Sequence, residues 1–317
     1  MVQVGAAGLL VEDTICGPIR ALPSEGSLAV LESISVGAGG CAANVAIALA
    51  KQAISVDVCG CMGNDSAADT LLTAFEVNRV GHANVVQLDT HQTSKTVVLL
   101  IEGQDRRYLH LPGANQAFTT EHIAREWIDG LKVFYLGGLF ALPGLEFSAL
   151  ATLLEYCRAH DVVTVVDVVV PEGVFGMGDF QSLLPLIDVF LPNDDEARAF
   201  SGRTDPFDQL EVFCGAGANT VIITRGALGT VARRADKIWS CGAYQMNVID
   251  PSGSGDAFTS GVIRSLLMKW DMPQLLHYAS AVGASATRAA GTTQSVFSAR
   301  EADAFVESNP LMVVHGH

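Results

Sequence analysis

Asp250-Pro-Ser-Gly-Ser-Gly-Asp-Ala-Phe258 is the stretch of this chain best equipped for chemistry. Gly253 and Gly255 flank a small residue, Ser254, and Asp256 follows at once. From Ala257 to Trp270 the apolar residues Phe258, Val262, Ile263, Leu266 and Leu267 recur with a period of about 3.6, as on one face of a helix. The glycines therefore stand at a helix start. Such a start leaves backbone N–H groups unpaired and carries partial positive charge. Glycines let an anion approach those donors closely, which makes an anion hole. A carboxylate beside it can take the proton of a hydroxyl that attacks a bound phosphoryl group. The expected roles are Asp256 as base and the backbone of Gly253, Ser254 and Gly255 as the hole. Taken alone, the same residues also suit a plain turn before a helix, with Asp256 an ordinary first-turn acid.

A second glycine-rich helix start is Gly37-Ala-Gly-Gly-Cys-Ala-Ala-Asn44-Val-Ala46, which runs into an alanine-rich helix ending near Lys51. It lacks the Gly-Lys-Ser/Thr of a P-loop and the spacing of a dinucleotide fingerprint. Asn44 is a polar amide in the first turns of an apolar helix. It reads as a substrate contact, because Gly39 and Gly40 clear room beside it, or else as an internal cap. Asp13 falls just past an apolar first strand over 2–10. Open parallel sheets bind ligands outside the carboxyl ends of their strands. Asp13 thus reaches a substrate or is a solvated turn acid.

These residues need a scaffold, and its pattern is alternating β and α. Expected strands cover 27–36, 54–61, 132–137, 162–169 (interrupted by Asp167), 187–191, 220–224 and 246–249. Helices are expected over 66–78, 120–129, 146–159, 180–185, 273–290 and 299–307, and a small hairpin over 230–240. Residues 96–101 and 106–111 form a hairpin about a turn at 102–105. With 27–36 they make a separate small sheet. Right-handed crossovers turn this order into a three-layer α/β/α sandwich with a mainly parallel central sheet.

The 317 residues are 49% hydrophobic, enough for a large core. Nineteen basic against 34 acidic residues give a formal charge of −15, and no basic block interrupts the acidity. Nucleic acid and anionic membrane are thereby excluded as partners. No apolar run reaches the ~20 residues of a membrane span, and the first residues do not read as a secretory leader. Seven scattered cysteines argue against a disulfide framework and for reduced thiols in a cytoplasmic protein. Histidines and cysteines show no zinc-ligand spacing.

Four motifs in this order resemble those of the ribokinase-like (PfkB) carbohydrate kinases over nearly the full chain. Gly39-Gly40-Cys-Ala-Ala-Asn44 is similar to the family's N-terminal signature, and Asp250 to Phe258 to its C-terminal one. Asn193-Asp-Asp-Glu196 resembles its N-x-x-E motif, and Thr224-Arg-Gly226-Ala-Leu-Gly229 its nucleotide-contacting turn. The resemblance implies one ribokinase-like domain over 1–317, with lid insertions near 14–36 and 93–113. It implies ATP-dependent phosphorylation of a sugar-like alcohol, with the acceptor held by Asp13, Gly39, Gly40 and Asn44. Nucleotide contacts would come from Asn193, Thr224, Gly226 and Gly229. Mg2+ would sit near Glu196 through water or phosphate, and a monovalent cation such as K+ near Asp250 and Ser252, with Gly291 and Ser295 completing its site. A lid of this kind pairs subunits, which implies a homodimer. The sequence departs from the pattern at Pro251, Ser252 and Ser254. Ribokinases carry Lys where this chain has Cys41 and Asn where it has Val11, and their strand-end Glu is replaced near Gly137 and Gly138. The acceptor therefore stays open between sugars, their derivatives and nucleosides, and a non-catalytic sugar-binding protein remains the third reading.

Overall fold

A computed structural model describes all residues except Met1, Asp105, Glu172, Val174, Phe175 and His317. The turn expected at 102–105 thus ends on a residue outside the described set. In chain order the first elements are β1 (Val4–Gly8), β2 (Val11–Ile19), β3 (Ile34–Gly39), α1 (Cys41–Lys51), β4 (Val56–Gly63), α2 (Ser66–Asn78), β5 (Gly81–Leu88), β6 (Ser94–Ile101) and β7 (Arg107–Leu111). The central elements are α3 (Arg125–Ile128), β8 (Val133–Gly137), α4 (Phe147–Ala159), β9 (Val163–Val166), β10 (Val189–Phe190), α5 (Asp194–Ser201), α6 (Pro206–Gly215) and β11 (Thr220–Thr224). The last are β12 (Thr230–Arg234), β13 (Lys237–Cys241), α7 (Ser254–Leu267), α8 (Met272–Ala286), α9 (Ala299–Ser308) and β14 (Val313–His315).

The large sheet has the order β14-β13-β12-β11-β10-β9-β8-β1-β4-β5. It is parallel from β5 to β11 and antiparallel from β11 to β14. Alternate strand residues enter opposite layers, as a period of two dictates. Phe134 and Leu136 pack with α4, α5 and α6, whereas Val133 and Tyr135 pack with α1, α2, α7 and α8. This is the expected three-layer α/β/α sandwich. The small second sheet, β3-β2-β6-β7, is built from two separated segments of chain.

Several expected elements differ. The segment expected as one strand over 2–10 gives way at Leu9, and β2 follows, so Asp13 lies inside a strand of the small sheet. Residues 27–33 are not a strand: Leu28 and Val30 are 85% and 89% exposed and pair with nothing among the described residues. Residues 246–249 are not one either, because the Ile249 and Asp250 amides bond to the Thr287 carbonyl at the end of α8 instead of to a strand. The helix expected over 120–129 is a short 3-10 turn followed by α3. The helix over 180–185 is a pair of 3-10 turns. Strand β9 stops at Val166, so Asp167 ends it rather than interrupting it. The edge strands β5 and β14 and the helices α5 and α6 have no counterpart in the sequence reading. Their apolar positions are few or short, and their stability comes from neighbours rather than from local pattern.

Candidate active site

Asp256 lies in the first turn of α7. Gly253, the residue before that helix, has φ 73° and no side-chain cap. A Cβ there would also run into the Thr292 carbonyl, so only glycine fits. Among the described residues the Gly253 and Gly255 amides donate to no protein acceptor, while the Ser254 amide makes a long 3.3 Å turn bond to the Pro251 carbonyl. A Cβ on Gly255 would meet open space. Ser254 and Gly255 open into a cavity of about 390 Å³, which Thr224, Gly226 and Gly229 also line. The structure therefore brings two of the expected motifs to one cavity.

Asn193 caps α5 and exchanges bonds with Glu196: the Glu196 amide donates to Asn193 Oδ1 at 2.9 Å, and Glu196 Oε2 accepts the Asn193 amide at 2.8 Å. A lone β-bridge ties Asn193 to Thr224, which sets this helix start beside the cavity. Asn193 thus has a structural duty in its cap. Glu196 keeps its other carboxylate oxygen for a further partner.

On the other side of Asp256 lies a group of acids. Asp256 Oδ2 accepts from Asn44 Nδ2 at 2.8 Å, and Cys41 also stabilises the carboxylate by a side-chain hydrogen bond. Both partners come from α1, whose start is fixed by Gly40 at φ 87°, packed on the Leu9 carbonyl where no Cβ fits. Asp13, on β2, faces the group; Thr96 hydrogen-bonds to it. A Cβ on Gly39 would collide with its carboxylate. Asp167, at the end of β9, accepts from Tyr135 Oη and from the Gly138 amide at 2.7 Å. Ligand atoms of Cys41, Asp167 and Asp256 all lie within 4.8 Å of one another.

Burial and mutual repulsion hold these acids high. Burial first, then the neighbouring Asp256, pushes Asp13 up to about 7 and Asp167 up to about 8. Burial, followed by Asp167, Asp195 and Asp256, takes Glu196 to about 8 against the opposing Asn193 amide. Asp256 rises to about 6, again by burial, with Asn44 and Cys41 opposing the rise. Among the described residues, the charged groups that shift Asp13, Asp167 and Glu196 are other acids. Of the four, Asp256 gives up its proton most readily, because Asn44 favours its charged form.

Asp250 is fully buried. Its two oxygens accept the Ser252 amide at 2.9 Å and the Gly291 amide at 3.0 Å. Ser252 Oγ is buried without a partner, and the Ser295 hydroxyl bonds to the Ser285 and Ala286 carbonyls nearby. Of the residues singled out from the sequence, Thr224, Gly226, Gly229, Ser254 and Gly255 line the cavity, Asp13, Asn44, Glu196 and Asp256 lie in or against the acid group, and Asn193 meets the cavity only through its bridge to Thr224. Three participants were missed: Cys41 was noted only as a departure, Tyr135 carried no signal, and Asp167 had one in its charge at the end of an apolar strand. Gly39 has ordinary backbone angles, so Gly39→Ala tests sterics alone. The added methyl should dislodge Asp13 and let its carboxyl titration, followed by NMR, fall from about 7 toward the normal range; an unmoved titration would show that Gly39 does not shape the site.

The chain matches the model of the pfkB family of carbohydrate kinases over residues 12–299. A ribokinase of Staphylococcus aureus (strain COL) is 29% identical over 254 residues, which cover 78% of this chain and 80% of that protein. An ATP-dependent 6-phosphofructokinase of Thermoanaerobacterium thermosaccharolyticum is 24% identical over 258 residues, 80% of each chain. The structure of Arabidopsis thaliana ribokinase complexed with ribose and ATP superposes with a TM-score of 0.82 at 20% identity, covering 97% of this chain and 99% of the other. At that identity the likeness speaks for the fold. No helix among the described residues is long and apolar enough to cross a membrane. With a match across most of its length, the chain belongs to the pfkB family of carbohydrate kinases.

Proposed function

We propose that this kinase transfers the γ-phosphoryl group of ATP to a hydroxyl of a sugar or sugar derivative, with Asp256 as general base and the amides of Gly253, Ser254 and Gly255 as the anion hole. One observation carries this reading. The first turn of α7 separates two regions, the cavity reached by Ser254 and Gly255 and the acid group reached by Asp256. Nucleotide and acceptor thus approach the same turn from opposite sides, as an in-line transfer requires.

The acceptor hydroxyl lies against Asp256, and Asp13 and Asn44 orient its neighbours. As its oxygen bonds to the γ-phosphorus, the bond to the β,γ-bridging oxygen breaks and ADP leaves. The hydroxyl proton passes to the Asp256 carboxylate. A loose transition state lets this proton leave late, so a weak base suffices. The amides at the turn stabilise charge on the equatorial oxygens. Met246, Val248 and Phe258 give the cavity an apolar lining suited to the adenine ring. The small sheet serves as a lid, inserted into a single α/β domain, that excludes water and spares ATP from hydrolysis.

Glu196, Asp167 and Asp256 are acids held high with no basic partner among the described residues, and a divalent cation would favour their charged forms. Glu196 would hold Mg2+ through water or phosphate, and the ion would offset charge on the phosphates. Asp250, buried and in no ion pair among the described residues, and the unpartnered Ser252 Oγ fit a monovalent cation, with Gly291 and Ser295 beside them. Its charge would steady the segment that sets Gly253.

The outward face of the small sheet supplies the support for a homodimer. Ile34, Val36, Leu109 and Leu111 all sit on it and are 40–64% exposed. Four exposed apolar side chains on one sheet face suit a second copy of the same face.

Four outcomes are expected. Asp256→Asn should retain nucleotide binding but lose about 10²–10⁴ in kcat in a coupled assay over sugars, sugar acids, sugar phosphates and nucleosides; near-normal turnover would remove Asp256 as base. In the wild type, kcat/KM should fall as pH drops below about 6, because protonated Asp256 cannot accept the proton. Replacing K+ by tetramethylammonium at constant ionic strength should lower activity, whereas equal rates in both salts would argue against a cation at Asp250. Light scattering should give twice the chain mass for the wild type and a monomer for Val36→Asp with Leu109→Asp; a monomeric wild type would refute the pairing.

A further inference from the structure

Strand β3 is bare on the face that meets the acid group. Asp13 on β2 is in register with Gly37, and Val11 with Gly39. Both glycines therefore leave their missing side chains on the face that carries the Asp13 carboxylate. That carboxylate lies over Gly39, within 2.7 Å of where a Cβ would stand. Over Gly37, Gln294 Nε2 stands 3.7 Å from the corresponding position, and no other atom of the described residues beyond its chain neighbours comes within 4 Å. Two residues of a strand, about 7 Å, separate the two places. The glycines thus leave a floor about one sugar ring across, with a carboxylate at one end and a carboxamide at the other.

Gln294 is exposed, yet its side chain is fixed. Its Oε1 accepts the Thr293 amide at 3.0 Å, which settles which end of the carboxamide is oxygen. The carboxamide occupies the space beside Gly291, where φ is 105° and a Cβ would collide with it. The backbone beneath is tied down from two directions. Lys51, at the end of α1, donates to the Thr293 and Gln294 carbonyls, the second at 3.2 Å, and the Thr292 hydroxyl donates to the Ala38 carbonyl of β3 at 3.0 Å. Holding a long polar side chain costs rotamer entropy. Its nitrogen end, with two N–H donors, bonds to nothing among the described residues.

Resting on the kinase reading above, we propose that Gln294 is a specificity residue that touches the acceptor, donating from Nε2 to an oxygen about one ring width from the hydroxyl that Asp13 holds. The reacting hydroxyl lies at Asp256. The division of polar groups fits. Ionised Asp13 and Asp256 only accept, and Asn44 Nδ2 is already spent on Asp256. Gln294 supplies the donor that this end of the site otherwise lacks. The acceptor is then a cyclic polyol whose far side carries a ring ether, carbonyl or hydroxyl oxygen; an ammonium or a bare methylene there loses the contact. Lys51 is a positioning residue: it holds the segment that carries Gln294 and does not touch the acceptor.

The test uses the full chain and whichever of ribose, fructose, gluconate, fructose 6-phosphate and adenosine it phosphorylates fastest. Gln294→Met keeps the length of the side chain and removes its donor. It should raise the KM of that acceptor about three- to tenfold, the size of one neutral hydrogen bond, while kcat and the KM of ATP move far less. Gln294→Glu, which accepts where the wild type donates, should raise it further. Lys51→Met should raise the acceptor KM in the wild type and add little in the Gln294→Met background, as coupled residues do, and Lys51→Arg should restore it. Equal melting temperatures separate these effects from loss of fold. An acceptor KM that Gln294→Met leaves unmoved, or a rise in the KM of ATP instead, overturns the proposal; turnover that still depends on Asp256 then leaves the kinase reading standing. Equal effects of Lys51→Met in both backgrounds overturn its positioning role. If no acceptor is phosphorylated, the kinase reading itself fails and takes this proposal with it.

Discussion

Four acids that no basic side chain among the described residues answers are the constraint on which the rest of this structure turns. Asp13 comes from a strand, Asp167 from a strand end, and Glu196 and Asp256 from two helix starts, and each is held above its ordinary range by burial, with neighbouring acids adding to the rise of the first three. A fold selected for stability alone would not gather them. What holds them is polar but uncharged: Asn44 and Cys41 on Asp256, Tyr135 and the Gly138 amide on Asp167, Thr96 on Asp13, and the Asn193 amide on Glu196. The α7 start adds partial positive charge where Asp256 stands. This balance is what the proposed reaction asks for, and it leaves Asp256 the acid that ionises most readily of the four.

Glycine supplies the room this gathering needs. Gly39 makes space for the Asp13 carboxylate, and a Cβ on Gly137 would press on Tyr135 Oη and the Cys41 side chain. Gly40 and Gly253 start their helices in conformations closed to other residues and sit tight against backbone carbonyls. The two signatures are therefore packing statements as much as binding ones: each sets a helix start at a fixed place, and α1 and α7 then pack together to bring Asn44 to Asp256.

Much of this was legible in the sequence, for reasons that differ by element. Strand 220–224 and the helix over 66–78 announce themselves by apolar run or by period, and so does the helix read over 257–270, which the structure starts three residues earlier, at Ser254, and ends at Leu267. The two glycine-rich starts announce themselves by composition. The segment 246–249 misled because apolar residues that line a cavity look the same as those of a strand. Asp13 was placed at a strand end when it sits within β2, since nothing in Val11–Ile19 alternates cleanly. The acid group could not be assembled in advance. Asp167 and Asp13 are far apart in the chain, and only the parallel order β9-β8-β1, with the small sheet beside it, brings them round one helix start. The two faces of the small sheet were equally hidden, because which side looks inward is set by register across strands.

The most direct test of the account is a crystal structure with ADP, Mg2+, aluminium fluoride and a bound acceptor. The account predicts the fluoride group on the Gly253, Ser254 and Gly255 amides, with the acceptor oxygen in line behind it and about 3 Å from the Asp256 carboxylate. An acceptor oxygen seated on another side chain, with Asp256 turned away from it, would contradict it.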